Sequence, residues 1–160
     1  MLRSIKYELK PNKTQQKLMK QTFGCCRLVY NLMLDKKIKA YELNKTKYSA
    51  FDLIKDITEL KKEKLFLKDV PINALQQSII NLDKSFKNFF KRGNKGFPKF
   101  KKKGYKDSYR IPKSCIIDYN NWNVKIANIG KVKIYRGHNN QIDGVIKSYT
   151  ISRTSTDRYY

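Results

Sequence analysis

The hydrophobic pattern of this chain changes from helical to alternating on either side of a basic segment. Before that segment, Leu75, Ile79, Leu82 and Phe86 recur every three or four residues, which is the spacing of one helix face. After it, stretches such as NVKI and KVKI alternate apolar and polar residues, as half-buried strands do. A block of helices followed by a block of strands predicts an α+β fold.

The first predicted helix begins at Asn12. An asparagine at this position, with Gln15 three residues later, is a capping-box-like start. Helical spacing then continues to about Leu43, which is long for a helix of a globular protein. Gly24 lies inside this stretch and lowers helix propensity, so we expect a break or a tight crossing there.

Two further helices are predicted by their start signals. Ser49 with Asp52 forms a second capping-box pattern, and Pro71 opens the amphipathic stretch that contains Leu75 and Ile79. We expect this last helix to end near Arg92 and Gly93. The helical part therefore contains three to four helices.

A strand is predicted ahead of the helices. Residues 2–9 alternate loosely and are followed by Pro11. Since one strand is not stable alone, it must pair with the strands that follow the basic segment. The expected architecture is a helical unit inserted after the first strand of a small antiparallel β-barrel.

The segment from Lys84 to Lys113 carries twelve Lys or Arg residues, one acid and seven aromatic residues. Cations neutralise phosphates, and aromatic faces stack on unpaired bases. A passive, solvated charge run is the alternative, but the interspersed aromatics and the flanking regular structure favour a nucleic-acid surface. The expected binding cations are Lys84, Lys87, Lys91, Arg92, Lys95, Lys99, Lys101, Lys102, Lys103, Lys106 and Arg110.

The overall charge also indicates a polyanionic partner. A formal charge of +23 on 160 residues repels itself unless phosphates lie against it. The chain has neither a run of eighteen apolar residues nor a signal sequence at Met1, so we expect a cytoplasmic protein with no membrane partner.

Catalytic and metal-binding patterns are missing from the sequence. Of the thirteen acids, six lie at helix-surface or capping positions where ion pairs with neighbouring lysines explain them (Asp35, Glu42, Asp52, Asp56, Glu59 and Asp83), and three resemble turn residues (Asp118, Asp143 and Asp157). Cys25, Cys26 and Cys115 form no CxxC pattern, and His138 lies in a turn-like stretch. We therefore expect a binding module with no catalytic residues, no metal site, no cofactor and no small-molecule substrate.

Four strings of the sequence resemble the N-terminal part of the TnpB/OrfB family, which consists of transposon-encoded, RNA-guided endonucleases. They are MLRSIKYELKPNKTQQKLM, FGCCRLVYN, ALQQSIINLDKSFKNFF and GFPKFKKKGYKDSYRIP, and the strand YTISR near the end is similar as well. The strings keep their order and spacing over residues 2–152. In this family the same region is known as a transposase helix-turn-helix domain. The name refers to transposases, which act in the DNA recombination of transposable elements.

The resemblance implies a domain organisation. Residues 1–11 would be the first strand of an OB-like wedge barrel, and residues 12–93 a helical recognition insert. Residues 94–106 would be a basic aromatic loop, and residues 107–160 the remaining wedge strands. A RuvC-like nuclease with Mg and a zinc ribbon follows in full-length relatives, and we expect it to lie outside these residues. An excised fragment, a truncated gene product and a decayed copy are equally compatible with this expectation.

The resemblance also implies partners and reading residues. Guide RNA and double-stranded DNA would be bound, and Tyr48, Gln76 and Ser114 match positions that read the DNA motif beside the target. Glutamine can pair bidentately with adenine in the major groove. The competing interpretation is a solvated glutamine for Gln76 and structural roles for Tyr48 and Ser114. Two other functions stay open: a stand-alone DNA-binding repressor derived from such a protein, and a general basic RNA-binding protein.

Overall fold

The structure, a computed structural model, describes residues 2–91, 96–136 and 141–160. The chain divides into two units, one formed by residues 1–23 with 104–160 and the other by residues 24–103. The prediction of an α+β protein is confirmed, with three α-helices and small antiparallel sheets.

The first helix, α1, spans Lys13–Asn44. Its predicted start is confirmed, because the Asn12 side chain accepts a hydrogen bond from the Gln15 amide at 2.8 Å and the Gln15 side chain accepts one from the Asn12 amide at 3.1 Å. The predicted break at Gly24 is wrong, since the helix continues through it. The flanking Phe23 and Cys25 are both buried, and this packing offsets the roughly 1 kcal/mol that a glycine costs inside a helix.

The other helices begin where their capping signals predict. Helix α2 spans Ala50–Glu63, and its capping box joins Ser49 and Asp52 in both directions. A short 3₁₀ helix, Leu65–Asp69, leads to α3, which spans Ile72–Phe90 with Pro71 at its N-cap. The predicted end at Arg92 and Gly93 falls outside the described residues.

The core of residues 24–103 is built from the apolar faces of α1, α2 and α3 and from the 3₁₀ helix. The alternation of threes and fours in the sequence places these side chains on one stripe of each α-helix. The fully buried members are Val29, Leu34, Leu53, Ile57, Leu67, Leu75, Ile79 and Leu82.

Six strands form the sheets of the other unit: β1 Leu9–Lys10, β2 Ser108–Ile111, β3 Ile116–Asp118, β4 Asn123–Ile126, β5 Gly130–Ile134 and β6 Tyr149–Ser152. Four of them pair in the order β1-β5-β4-β3, and β2 pairs with β6, all antiparallel. The predicted first strand over residues 2–9 is wrong in extent. Residues 2–6 are exposed and form no strand; the Lys6 ammonium lies 3.8 Å from the centre of the Tyr160 ring.

Tyr159 connects the two sheets. It forms antiparallel bridges to Leu9, in β1, and to Arg153, just after β6. The adjacent Tyr160 exchanges two backbone hydrogen bonds with Ser152, at 2.9 and 3.0 Å. The pairing order is therefore β3-β4-β5-β1-Tyr159-β6-β2. Among the residues that the structure describes, the outermost strands β3 and β2 do not pair, so no closed barrel forms.

Among the helices that the structure describes, none is both long enough and apolar enough to cross a membrane.

Candidate nucleic-acid interface

The C-terminal half of α3 presents a cationic face. Lys84, Lys87 and Lys91 are spaced three and four residues apart, which places them on one side of the helix, and all are exposed. Lys87 forms an ion pair with Asp83 at 2.8 Å. Because Ile79 lies on the opposite, buried stripe, the helix holds these lysines toward solvent.

A cluster of four phenylalanine rings lies where α3 ends. Phe97 meets Phe86 and Phe89 edge-on, with ring centroids 5.5 and 5.3 Å apart, and Phe89 meets Phe90 at 5.1 Å. Pro98 is buried beside them. Phe97 therefore anchors the basic loop to α3, whereas Phe100 is exposed.

A second anchor ties the same loop to α1. The Asn31 side chain accepts a hydrogen bond from the Lys101 backbone amide at 2.8 Å and donates one to the Lys101 carbonyl at 3.0 Å. The Lys101 ammonium lies 4.3 Å from the centre of the Tyr30 ring. Residues 96–103 are therefore a surface held at two points and not a free charge run.

The lysines of this loop have different environments. Lys99, Lys102 and Lys103 are exposed and pair with no acid in the described part of the chain. Burial lowers the pKa of Lys101, although the nearby Cys26 partly opposes this shift. Lys101 is itself exposed, but its contact with the Tyr30 ring and its backbone hydrogen bonds to Asn31 make it the anchor of the loop.

Tyr48 and Gln76 also belong to residues 24–103. The Tyr48 carbonyl accepts a hydrogen bond from the Lys37 ammonium at 2.9 Å, and the Lys36 ammonium lies 4.7 Å from the centre of its ring. Tyr48 is thus held by α1 just before α2 begins. Gln76 lies half-buried on α3, next to the buried Gln77, whose side chain donates to Asn81 at 3.1 Å.

Three predicted site residues lie in the other unit. Lys106 is exposed, with its ammonium 5.3 Å from the ring of the adjacent Tyr105. Arg110, in β2, donates to the Ser148 hydroxyl at 3.0 Å. Ser114 is exposed and donates a long, 3.4 Å hydrogen bond to the next carbonyl. The predicted set is thus divided between the two units, and Arg92, Lys95 and His138 lie outside the described residues.

Sequence reasoning missed a second group of cations, on the four-stranded sheet. Lys10, Lys125, Lys131 and Lys133 are exposed on strands whose alternate residues are buried. Their signal is present in the sequence, because lysine alternates with Val or Ile in NVKI and GKVKI.

Four acids of the helices form ion pairs with lysines, three of them within one helix and one, Asp56, with Lys36 of α1. The ion pairs are Asp35–Lys39, Asp56–Lys36, Glu59–Lys62 and Asp83–Lys87. Within the described ranges, no group of three or more His, Cys, Asp or Glu side chains could hold a metal ion. Burial raises the pKa of the Cys25 thiol and raises that of Cys26 to about 12, so both stay protonated near neutral pH.

Known proteins are similar to this chain over parts of its length or nearly all of it. A family model for the helix-turn-helix domain of OrfB (IS605) proteins matches residues 1–46. The chain is 33% identical over 156 residues to the "Putative RNA-guided DNA endonuclease InsQ" of Escherichia coli (strain K12), an alignment that covers 96% of this chain and 38% of InsQ. It is 36% identical over 101 residues to a "Putative RNA-guided DNA endonuclease" of Streptomyces pristinaespiralis, covering 62% of this chain and 25% of that protein.

A third, shorter relative is matched along nearly its whole length. The "Virulence protein VsdF" of Salmonella dublin is 33% identical over 113 residues, which are 64% of this chain and 95% of VsdF. The chain therefore spans less than two fifths of the length of the two endonuclease relatives and nearly the whole of the shorter one.

Proposed function

The chain belongs to the TnpB/OrfB family, and on this premise we propose that it is the nucleic-acid-binding N-terminal region of an RNA-guided DNA endonuclease. In this role it binds a guide RNA and the duplex beside the DNA target. The assignment rests on the match to InsQ along nearly the whole chain. The observation that carries the binding role is the doubly anchored basic loop, 96–103.

The loop suits a phosphate backbone because its charge is presented from a fixed frame. Phe97 fixes its first residues on α3, and Asn31 fixes Lys101 on α1. The exposed Lys99, Lys102 and Lys103 lie between and beyond these anchors. They contact phosphates without any further ordering of the loop backbone. Preorganisation of this kind lowers the entropic cost of binding.

DNA reading is assigned to a few polar side chains, with Gln76 first. Its amide can donate to and accept from one adenine edge, and α3 supplies a rigid support. Tyr48 and Ser114 are the secondary candidates. We keep the cations Lys84, Lys87, Lys91, Arg92, Lys95, Lys106 and Arg110 as backbone contacts that position the duplex or the RNA.

For the architecture we propose a wedge-type, OB-like barrel that is partly open between β3 and β2 and carries the helical insert. The pairing order through Tyr159, which links β1 to the β6–β2 pair, supports it. The proposed boundaries are 1–11, 12–93, 94–106 and 107–160. We place no cleavage chemistry on these residues: the described part offers no cluster that fits a catalytic Mg or a structural Zn.

The test is the salt dependence of RNA binding. Each phosphate contact contributes about 0.7–0.9 to the slope of log K against log salt. Replacing Lys99, Lys102 and Lys103 together by Ala should flatten the slope by about 2–3. The matched control replaces Lys47, Lys55 and Lys68, which are equally exposed and lie in the same unit. Equal slopes for the two triple variants would show that binding depends on net charge alone.

A second candidate is a stand-alone DNA-binding protein. It is favoured by VsdF, nearly all of whose length is matched by this chain. Duplex binding in the absence of RNA separates the two. Motif-specific affinity without RNA supports the stand-alone protein, whereas a strict requirement for guide RNA supports the endonuclease region. Tight RNA binding with no DNA partner would instead indicate a general RNA-binding protein.

A further inference from the structure

The outer face of the four-stranded sheet carries like charges in direct opposition. Lys10 is the cross-strand partner of Lys133, and Lys125 is the partner of Lys131. Like charges placed directly opposite each other destabilise an antiparallel pair. All four side chains are exposed. An anionic ligand bound to this face would reduce the repulsion within both lysine pairs.

A cavity of about 370 Å³ opens at the Lys10–Lys133 end of this face. It is lined by the cations Lys10, Lys133 and Arg136, by the rings of Trp122 and Tyr135, and by Asn121. No acid is among its lining residues. Its volume is near the lower end of the range for small-molecule sites, about 300–1,000 Å³, and so fits one nucleotide.

Trp122 is fixed in an unusual conformation at the mouth of this cavity. It ends the turn between β3 and β4, which Asp118 holds by accepting hydrogen bonds from the Asn120 and Asn121 amides at 3.0 and 3.2 Å. Its φ is +49°, in the left-handed region that a bulky residue rarely occupies. Its carbonyl accepts a hydrogen bond from the Ile134 amide at 2.8 Å. Such strain is found at functional sites more often than elsewhere.

One of the cations, Lys10, is likewise held in place. The Lys10 ammonium lies 4.5 Å from the centre of the Tyr135 ring, so a cation–π contact positions it at the cavity. Lys10, Lys133 and Arg136 form no ion pair within the described part of the chain. The one carboxylate of β3, Asp118, is occupied by the turn amides and by the Asn121 side chain at 2.8 Å. The positive charge of the cavity is therefore not neutralised by the protein.

We propose that this cavity binds a single unpaired nucleotide of the bound nucleic acid. The base stacks on Trp122, and its phosphate lies between Lys10, Lys133 and Arg136. This inference rests on the proposed nucleic-acid binding and adds a site in the unit formed by residues 1–23 and 104–160. A flat aromatic ring beside unpaired cations recognises a base and its phosphate without regard to sequence.

The test uses the fluorescence of Trp122, which is the only tryptophan of the chain. The full chain is titrated with an eight-nucleotide oligouridine, bearing either a 5′-phosphate or a 5′-hydroxyl, and with a duplex of equal length. Quenching by both single strands but not by the duplex supports an internal unpaired nucleotide. Quenching by the 5′-phosphorylated strand alone supports a strand end. Equal quenching by the duplex overturns the proposal.

Variants separate stacking from folding. Trp122→Gly removes the ring, and with it the edge-on contact to Tyr119 at 6.0 Å, but it suits the left-handed backbone. A melting curve checks that the variant stays folded, and single-strand affinity should drop about 5- to 150-fold, the usual effect of losing one stacked base. Its salt slope should stay unchanged, because the ring carries no charge. Lys10→Ala with Lys133→Ala should flatten the slope by about 1–2. The matched control is Lys125→Ala with Lys131→Ala, on the same face but outside the cavity.

The failure of this site and the failure of the proposed function give different results. RNA binding that leaves Trp122 fluorescence and the Trp122→Gly affinity unchanged overturns the cavity site and leaves the basic loop as the binding surface. No binding to any RNA or DNA overturns both.

Discussion

The side chain of Asn31 exchanges two hydrogen bonds with the backbone of Lys101, seventy residues away in sequence. The backbone N–H and C=O of Lys101 are thus paired as a neighbouring strand would pair them. Here the side-chain amide of one helix residue forms both bonds. The basic loop therefore has a fixed position on α1 although it contains no regular structure from Gly96 to Lys103.

Replacing Asn31 by Ala should release the loop. Two hydrogen bonds worth about 0.5–1.5 kcal/mol each are lost, and the Lys101 amide should exchange with solvent about 5- to 100-fold faster in a hydrogen-exchange measurement. Asn88→Ala, at a half-buried helix asparagine whose side chain forms no hydrogen bond among the described residues, is the control. Unchanged exchange at Lys101 would contradict the anchor.

Gln76 is expected to read a base. Gln76→Ala should cost about 1–3 kcal/mol in affinity for the preferred DNA motif, and it should leave the salt slope unchanged. The measurement belongs in a full-length protein with its guide RNA. Gln77→Ala is the matched comparison: this neighbour is buried, so its loss should lower the melting temperature and not the discrimination. Equal loss for all DNA sequences on Gln76→Ala would assign that residue to the scaffold.

The two adjacent isoleucines of α3 should respond oppositely to a charge. Ile79 is fully buried, whereas Ile80 is 45% exposed. Ile79→Asp buries a carboxylate without a partner and should destabilise by several kcal/mol, a large part of the about 5–15 kcal/mol typical of a domain. Ile80→Asp should change stability by less than about 0.5 kcal/mol. Thermal unfolding of both variants decides whether the buried face is assigned correctly.

Asp107 and Arg153 form the buried ion pair of the sheets. The Arg153 guanidinium donates to the Asp107 carboxylate at 2.5 Å, and the Arg153 amide donates to the Asp107 carbonyl at 2.9 Å. Asp107→Asn should destabilise by about 3–5 kcal/mol, because the Arg153 guanidinium loses its buried charged partner and keeps only the exposed Asp157. Asp157→Asn removes the exposed partner of the same arginine, 3.1 Å away, and should cost less than about 1 kcal/mol. Comparable losses in urea unfolding would contradict this assignment.

Local signals in the sequence were sufficient where the partners lie within a few residues of each other. The capping boxes at Asn12 and Ser49 each join residues three apart, so both helix starts could be predicted. The continuity of α1 through Gly24 could not be predicted, because it depends on the burial of the neighbouring residues in the folded chain. The charge of the basic segment was visible, but the distinct role of Lys101 depends on its distant contact with Asn31.

The lysines of the sheet show the same limit. Alternation in GKVKI predicts that Lys131 and Lys133 face solvent. That Lys133 lies opposite Lys10 depends on the register between β1 and β5, which a sequence without known strand partners does not specify.

The bridge between Leu9 and Tyr159 has a consequence for synthesis on the ribosome. The Leu9 amide donates to the Tyr159 carbonyl at 2.8 Å, so the first strand gains this neighbour only after nearly all 160 residues have been translated. Residues 24–103 are contiguous and can complete their core while the last strands are still being made. The nascent chain should therefore mature from its middle outward, with the sheets forming after the helical unit has folded.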